Sequence, residues 1–442
     1  MNIEDVLSQG RLAELRLKRE KARAQAYKEA LPIIGTEALS ELKALMNIFD
    51  ESVYLLFAEL YDGEIGGFYY TKAAGETKGY LPDIESTWQA LRFLEKSGML
   101  GDNCAYGAPL LSGIITKISD FAVSLQKKDG FFYHPQWGRR ISVWRKGRDL
   151  GYAVEIIKET GANTNYPLPT ETEEKSRTSA LPDNLKSVEA FEGYVEKLNF
   201  PERPLFFSGE LTSQKLQIIS RGKEYVDVIR RALIKYDWHW LWQESDNYDS
   251  VNALVRLCES FNFSEIVLPN QEKLLNAAIK AMLDGKAEDV RACDNPWKTI
   301  NALLRFLRKN VAYDELYRLR SVLCKNAYRL IYQTHRKVLS FRCPDGGFVY
   351  FPNKTQFISQ GAKASVDGVL SGEINGTCLA TISVVDNMCL ALGIPVVPMY
   401  TEDDGKVFID VIMGLGKKTK LYKNDDEARI SYGVSENQRL RK

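Results

Sequence analysis

The sequence is short of the residues that bind metals or form disulfides. Among its 442 residues there are three histidines and seven cysteines, and no two cysteines have the CxxC spacing. An odd, dispersed set of cysteines argues against a disulfide framework and against a zinc knuckle. We therefore expect no metal and no other cofactor.

The chain also lacks an excess of one charge and a long apolar run. It has 59 basic and 58 acidic side chains, for a formal net charge of +1, whereas a nucleic-acid-binding protein normally has a basic surplus. The first 25 residues contain no apolar stretch typical of a signal peptide, and no run of 18 or more apolar residues suits a bilayer. We expect a cytoplasmic protein with no nucleic-acid partner and no membrane span; the oligomeric state stays open.

Sequence motifs for nucleotide binding, zinc proteolysis and serine hydrolysis are absent. The chain contains no GxxxxGK[ST], no GxGxxG after a strand, no HExxH and no GxSxG. Each of these patterns places specific groups around a phosphate, a metal or a nucleophile. Their absence leaves these classes of chemistry without support from the sequence.

What the sequence does contain is a repeated glycine-aromatic turn followed by a helix. The three turns are Gly66-Gly67-Phe68, Gly130-Phe131-Phe132 and Gly346-Gly347-Phe348. The helices that follow are expected to start near Asp83, near Arg148 and Asp149, and near Glu373, where acidic and hydroxyl side chains cap free N–H groups. Two further helices open similarly, from Ser245 and from Cys293. This repetition predicts an all-α protein with the architecture of an α/α toroid.

Three other segments frame the predicted toroid domain, which covers residues 47–415. Residues 1–46 have mixed charge and helical spacing, which predicts a charged N-terminal helix. Residues 161–184 are polar and contain prolines, which indicates an inserted loop or flap, and residues 416–442 form a basic, polar tail. Strand signals are weak, so we expect at most a small C-terminal hairpin at 407–412.

The turn Asp345-Gly346-Gly347-Phe348 resembles the repeats of terpenoid cyclases and protein prenyltransferases. Similar toroids carry polysaccharide lyases and glycoside hydrolases that act on uronic-acid-containing oligosaccharides. The resemblance is specific only at the three turns, and a fold alone does not give function. The chain has no DxDD motif, and Cys293, Asp294 and His335 make only an incomplete match to the zinc ligands of prenyltransferases.

The candidate site follows from the predicted toroid, because the N-termini of its inner helices meet at one rim. Helix capping explains each polar residue there by itself. Several carboxylates at one rim would nevertheless repel each other unless they are paired, protonated or bound to a ligand. The candidate catalytic residues are Asp83, Glu85, Asp149, Glu373 and His134. The candidate substrate-binding residues are Tyr70, Tyr133, Trp137, Arg139, Arg140, Trp240, Asp246, Asn247 and Asn375.

These residue types suit sugars. Aromatic rings stack on pyranose rings, amides and carboxylates bind hydroxyls, and two carboxyl groups can act as acid and base. Arginines would neutralise a uronate, and His134 or Tyr133 would then move the proton in an elimination. The sequence predicts a carbohydrate-active enzyme, a lyase or glycoside hydrolase acting on uronic-acid-containing oligosaccharides. The alternatives are a terpenoid cyclase-like or prenyltransferase-like enzyme and a non-catalytic toroid scaffold or binding protein.

Overall fold

The computed structural model of the chain describes residues 7–101, 108–171, 181–235, 248–263 and 271–414. Nearly all of the regular structure in these ranges is helical, which confirms the all-α class. The helices are α1 (Gln9–Asn47), α2 (Glu51–Leu60), α3 (Lys72–Glu76), α4 (Ile84–Lys96), α5 (Ile115–Ser124), α6 (Val143–Glu159), α7 (Val188–Leu198), α8 (Pro204–Ser213), α9 (Lys215–Ser220), α10 (Lys223–Lys235), α11 (Tyr248–Phe261), α12 (Gln271–Leu283), α13 (Arg291–Lys309), α14 (Tyr313–Lys325), α15 (Ala327–Leu339), α16 (Ile374–Leu392) and α17 (Glu402–Gly414). Short 3-10 turns lie at Pro109–Leu111 and Asp183–Leu185.

Helix α1, near the N-terminal end of the described residues, contacts α17, near their C-terminal end. It bends at Gly35, whose φ is 80°, and it packs along α15. The guanidinium of Arg19, 5% exposed, lies 2.6 Å from the Asp404 carboxylate of α17 and 3.3 Å from that of Glu51 in α2. A buried ion pair of this kind is strongly destabilising to break, because the remaining charge has no partner.

Six helices form a closed circuit of neighbours in the structure. Helix α4 packs against α6, α6 against α8, α8 against α11, α11 against α13, α13 against α16, and α16 returns to α4. The helices between them pack onto this circuit, as α5 does on α6 and α12 on α13. We call these six helices the inner circuit.

The glycines of the three repeated turns have the same backbone conformation. Gly66, Gly130 and Gly346 have φ values of 87°, 82° and 94°, in a region that side-chain-bearing residues rarely adopt. A Cβ on Gly346 would lie 2.6 Å from atoms of Ser52. All three turns therefore need glycine for the backbone conformation, and each glycine also allows a close approach, of Lys117 at Gly66, of Pro167 at Gly130 and of α2 at Gly346.

A hydroxyl on the following helix completes two of the turns. The Phe68 N–H donates to Thr87 Oγ1, and the Phe348 N–H donates to Thr377 Oγ1, each at 3.0 Å. In each case the helix start is also bonded to the turn, because the N–H of Asp83 or Glu373 donates to the phenylalanine carbonyl. The first and third turns thus have the same hydrogen-bond pattern, as their sequences predict.

Two predicted elements are wrong. Asp149 does not begin a helix, because Ser142 caps α6 with a hydrogen bond to the Arg145 N–H, which places Asp149 in the second turn. Residues 407–412 form no hairpin and belong to α17, whose first turn is acidic and whose apolar residues are buried at helical spacing. The described residues do contain a small antiparallel hairpin, but at Ile358–Ser359 and Ala362–Lys363.

Helix α16 is long and apolar enough to cross a membrane by length and composition. Its mean hydropathy is 1.2 over residues Ile374–Leu392, yet 72% of that window is buried inside the protein. It packs between α4 and α13 in the inner circuit. Its apolar composition is that expected of a core helix.

Candidate functional site

Arg145 is the centre of a buried acidic cluster. Its side chain is 1% exposed, and its Nη2 and Nη1 lie 3.2 Å from Asp83 Oδ1 and 2.9 Å from Glu85 Oε2. Its Nε lies 2.9 Å from Asp149 Oδ1, although the angle is not that of a hydrogen bond. The guanidinium lies 4.3 Å from the centre of the Trp137 ring. Three of the predicted catalytic carboxyls are therefore brought together around one cation.

Glu85 has a second cationic partner. Arg148, one turn from Arg145 on α6, forms an ion pair with Glu85 Oε1. Burial alone would raise the pKa of Glu85, but Arg148 and then Arg145 outweigh it and lower the pKa below its usual value. Glu85 is therefore an ionised carboxylate at neutral pH.

The cluster has fewer arginines than carboxyl groups, and Asp149 is the carboxyl without an arginine of its own. Two arginines, Arg145 and Arg148, face three carboxyls, and Arg145 alone reaches Asp149. Burial raises the pKa of Asp149 to about 7 against the opposing effect of Arg145. The geometry supports that direction, because the contact between Arg145 and Asp149 is the one that lacks hydrogen-bond alignment.

Asp83 caps α4 as well as pairing with Arg145. Its carboxylate accepts the Ser86 N–H at 3.0 Å and the Ser86 hydroxyl at 2.6 Å. The capping role foreseen from the sequence is confirmed for this residue.

Glu373 lies beside this cluster and forms no ion pair with a cation of the described residues. It precedes α16, is fully buried, and its Oε2 accepts the Gln356 N–H at 3.0 Å. Its Oε1 makes no hydrogen bond of standard geometry with the described residues, although the Tyr70 hydroxyl and the Tyr350 backbone interact with the same carboxyl group. Burial raises the pKa of Glu373 well above its usual value. Burial therefore favours the protonated form of this carboxyl relative to that of an exposed glutamate.

Tyr70 connects Glu373 with the arginine cluster. Its hydroxyl donates to Gln356 Oε1 at 3.1 Å, and its ring packs with Trp137. Burial, and after it the charges of Glu373 and Glu85, raise the pKa of Tyr70 well above its usual value. Tyr70 thus adjoins two carboxyl groups whose own pKa values are displaced in opposite directions.

His134 is held by the protein on both sides of its ring. Its Nε2 lies 2.8 Å from the Pro82 carbonyl, and its Nδ1 accepts the Gln136 N–H at 3.3 Å. Burial lowers the pKa of His134 to about 4. In this arrangement the ring stabilises the turn before α4 and has no nitrogen left for a ligand.

The remaining predicted binding residues are dispersed. The Tyr133 hydroxyl donates to Asp129 at 3.0 Å, and Arg139, 64% exposed, lies over the Tyr133 ring. Asn375 is buried and accepts a 3.0 Å hydrogen bond from Gln89, which joins α16 to α4. Arg140 is exposed. Trp240, Asp246 and Asn247 lie outside the described residues.

Sequence reasoning missed an aromatic and cationic group on α4, α6 and α11. The rings of Trp88 and Tyr152 stack with centroids 4.3 Å apart, and the Arg148 guanidinium lies 5.2 Å from the Tyr152 ring. Arg256, half-buried on α11, lies near the same arginine and tyrosine. The signal was a lone arginine within the apolar run NALVRLC, where a core helix would carry an aliphatic residue.

Asp294 is another buried carboxyl, with one free oxygen. Its Oδ1 accepts hydrogen bonds from Ser383 at 2.8 Å and from Asn387 at 3.2 Å, while Oδ2 has no hydrogen-bond partner among the described residues. Ser383 ends a π-helical segment, Leu379–Ser383, within α16, a type of irregularity that is frequent at functional sites.

The incomplete zinc set has no counterpart in the structure. The His335 Nδ1 pairs with Glu41 of α1 at 2.6 Å, whereas Asp294 bonds to α16. Within the described ranges, no group of three or more histidine, cysteine and acidic side chains is placed to hold a metal ion.

Comparison with known proteins identified no match to this chain. No family model matches the sequence, and neither a curated protein nor a solved structure matches the chain.

Proposed function

We propose that the inner circuit is an α/α toroid and that the chain is a carbohydrate-active enzyme, a glycoside hydrolase or polysaccharide lyase acting on uronic-acid-containing oligosaccharides. The toroid is supported by the closed order of helix packing and by the matching geometry of the glycine-aromatic turns. The two helix starts that follow such turns, at Asp83 and Glu373, lie on either side of Tyr70.

The observation that carries the proposal is a pair of buried carboxyl groups near one tyrosine, of which Glu85 is held by two arginines and Glu373 has no cationic partner in the described residues. Burial raises the pKa of Glu373, whereas the two arginines lower the pKa of Glu85. Pairs of carboxyl groups whose surroundings separate their pKa values are a hallmark of acid and base assignments in glycosidases. The proposal assigns Glu373 as the general acid that protonates the leaving glycosidic oxygen.

Glu85 has a different role because it is bound by two arginines. A carboxylate held by Arg145 and Arg148 is a poor nucleophile, so in the proposal its negative charge stabilises a cationic sugar intermediate, which water then attacks. In an elimination, Glu85 would instead take the proton from the carbon next to the uronate carboxylate as the bond to the leaving oxygen breaks, and Glu373 would protonate that oxygen. The product therefore distinguishes the two mechanisms.

Two further features fit a sugar better than an isoprenoid. The stacked Trp88 and Tyr152 rings supply an aromatic surface of the kind on which pyranose rings pack. An isoprenoid cavity would be apolar, whereas the contact between α13 and α16 carries Asp294, Ser383 and Asn387.

Access to Glu373 requires a local movement in this proposal. Gln356 bonds both Tyr70 and Glu373. Residues 351–354, just before it, are exposed. A ligand hydroxyl or glycosidic oxygen would reach Glu373 by displacing this segment, which then shields the site from water.

The proposal is tested by a panel of oligosaccharides with and without uronic acids. We expect the purified chain to release products from uronate-containing members. Hydrolysis is followed by new reducing ends and elimination by the absorbance of unsaturated uronate. Release of product only from neutral oligosaccharides would contradict the uronate assignment, and no release from any member would contradict the function.

A further inference from the structure

We propose that a cavity between the C-terminal ends of α12 and α15 binds a phosphate monoester that carries a ring. Arg336 and Lys337, which line the cavity, would hold the phosphate, and the ring of the ligand would pack on Tyr332. Neither helix belongs to the inner circuit, so this site does not depend on the proposed function.

The cavity is large enough for a small molecule and opens to solvent. Its volume is about 390 Å³, within the range of ligand sites in proteins. Helices α12 and α15 pack against each other, and the cavity lies where the chain leaves α12, at Gly285 and Ala287. A Cβ on Gly285 would meet no atom within 4 Å, so this side of the cavity is open. The other wall is α15, from Tyr332 to Ser340.

Lys337 is a buried cation in the lining of this cavity. The residue is 4% exposed, and its Nζ donates to the Ala281 carbonyl of α12 at 2.9 Å. An ammonium group has three donors, and Lys337 makes no other hydrogen bond and no ion pair with the described residues. A buried charge is costly unless it is paired. An anion in the cavity would supply the missing partner.

The charged residues of the lining are both positive. Arg336 is exposed beside Lys337, and no acidic residue lines the cavity. The acid whose charge acts on Lys337 is Asp284, but it is exposed at the end of α12 and its Oδ1 accepts the Lys286 N–H at 3.1 Å.

Two cations without an acid in the lining favour a phosphate over a carboxylate. A phosphate monoester carries about −1.5 to −2 charges at pH 7, which matches Arg336 and Lys337 together, whereas a carboxylate would neutralise only one of them. The arginine fork and the lysine point charge are both common phosphate-binding groups.

Tyr332 supplies an aromatic face for the rest of the ligand. It is 40% exposed and lies one turn before Arg336, so both side chains are on the same side of α15. Gln333 and Ser340 add an amide and a hydroxyl to the lining, which suit the hydroxyls or amides of a ring. Aromatic faces pack on sugar rings and on nucleic-acid bases. The shared chemistry is therefore that of sugar phosphates and nucleoside monophosphates.

A purely structural role for the two cations makes a different prediction. Both lie in the last turn of α15, where positive charge interacts favourably with the helix dipole. That role requires no ligand, so Arg336→Gln would have no binding to lose. The experiment therefore uses the exposed residues Arg336 and Tyr332, whose replacement should leave the fold intact, and spares the buried Lys337.

The experiment is titration calorimetry at low ionic strength with adenosine monophosphate, glucose 6-phosphate, inorganic phosphate and adenosine. The proteins are the wild type, Arg336→Gln, Tyr332→Ala and the control Arg329→Gln, whose arginine is exposed two turns earlier on α15 and does not line the cavity. We expect the wild type and the control to bind at least one of the two ring-bearing monoesters, inorganic phosphate more weakly, and adenosine not measurably.

The two variants separate the phosphate contact from the ring contact. Loss of charged hydrogen bonds in Arg336→Gln should weaken binding of the monoester about 10- to 100-fold. Tyr332→Ala should weaken it roughly 3- to 10-fold and leave the binding of inorganic phosphate unchanged. The tighter of the two monoesters identifies the ring as a base or a sugar.

Three results would overturn the proposal. The first is that the wild type binds neither monoester, and the second is that Arg336→Gln binds as tightly as the wild type and the control. The third is that adenosine binds as tightly as its monophosphate, which would exclude the phosphate contact. Binding of inorganic phosphate as tight as that of the monoesters, with no effect of Tyr332→Ala, would overturn the assignment of the ring to Tyr332.

Discussion

At the scale of single residues, Arg145 is a buried cation on which several acidic groups depend. It is almost fully buried with three carboxyl groups in contact, and only one of those carboxyls, Glu85, has another cation. Buried ion pairs rarely add net stability compared with apolar packing, but removal of one partner leaves uncompensated charge. The cluster therefore fixes the arrangement of this part of the chain, and substitutions within it are expected to be poorly tolerated.

Replacement of Arg145 should be severely destabilising. Arg145→Met retains the apolar stem but leaves Asp83 and Glu85 buried without their shared cation. We expect the free energy of unfolding in urea at pH 7 to fall by about 3–5 kcal/mol. The control Arg318→Met removes an exposed arginine from α14 and should change little. A loss below about 1 kcal/mol for Arg145→Met would contradict the assigned role.

Asp149 should make stability depend on pH in a specific direction. Its pKa is about 7 in the folded chain against an ordinary 3.8. Between these values the folded state retains a proton that the unfolded state has lost, so this residue's contribution falls as pH rises and is constant above about 7. Asp149→Asn lacks this titration.

The measurement compares urea unfolding of wild type and Asp149→Asn from pH 4 to pH 8. We expect the stability of the wild type relative to the variant to decrease up to about pH 7. His134, with its pKa lowered to about 4, contributes the opposite slope, but it is present in both proteins and cancels. A constant difference across this range would contradict the raised pKa.

At the scale of elements, the glycine-aromatic turn is the unit that fixes where helices start. Gly346 combines a φ of 94° with a position where a Cβ would lie 2.6 Å from Ser52. Gly346→Ala should therefore lower the free energy of unfolding by at least about 2 kcal/mol through backbone strain and overpacking.

Gly113→Ala is the matched control for this prediction. Gly113 has no positive φ, and a Cβ there would meet no atom within 4 Å. Its substitution should be nearly neutral in the same denaturant experiment. Equal effects of the two substitutions would show that the turn does not constrain the fold as described.

The elements that were predicted correctly are those whose start is determined by residues close by in the sequence. The turns have glycine where only glycine fits, and the starts of α4 and α16 follow acidic residues directly. The start of α6 was misplaced because Arg148-Asp149 also has cap chemistry, while the actual cap, Ser142, has few distinguishing neighbours. Residues 407–412 have β-branched residues, but the acidic turn before them and long-range packing favour the helix.

At the scale of the whole molecule, the closed order of helix packing brings distant polar residues together. The sequence indicated that the residues at Asp83, Glu85 and Glu373 would be neighbours, because repeated helix starts share a rim. The central position of Arg145 and the position of Arg256 near Arg148 were not foreseen. Both depend on contacts across α4, α6 and α11, and the sequence shows an arginine within an apolar run without showing which groups it meets.

In the proposed reaction, the buried carboxyl of Glu373 donates the proton when a uronate-containing oligosaccharide is cleaved. Glu373→Gln keeps the size of the side chain and its hydrogen-bond acceptor but removes the acidic proton. The most direct measurement is kcat for product release by wild type and Glu373→Gln, with circular dichroism to confirm that the variant is folded. We expect kcat to fall about 10²- to 10⁴-fold while KM changes little. Full turnover by folded Glu373→Gln would contradict it.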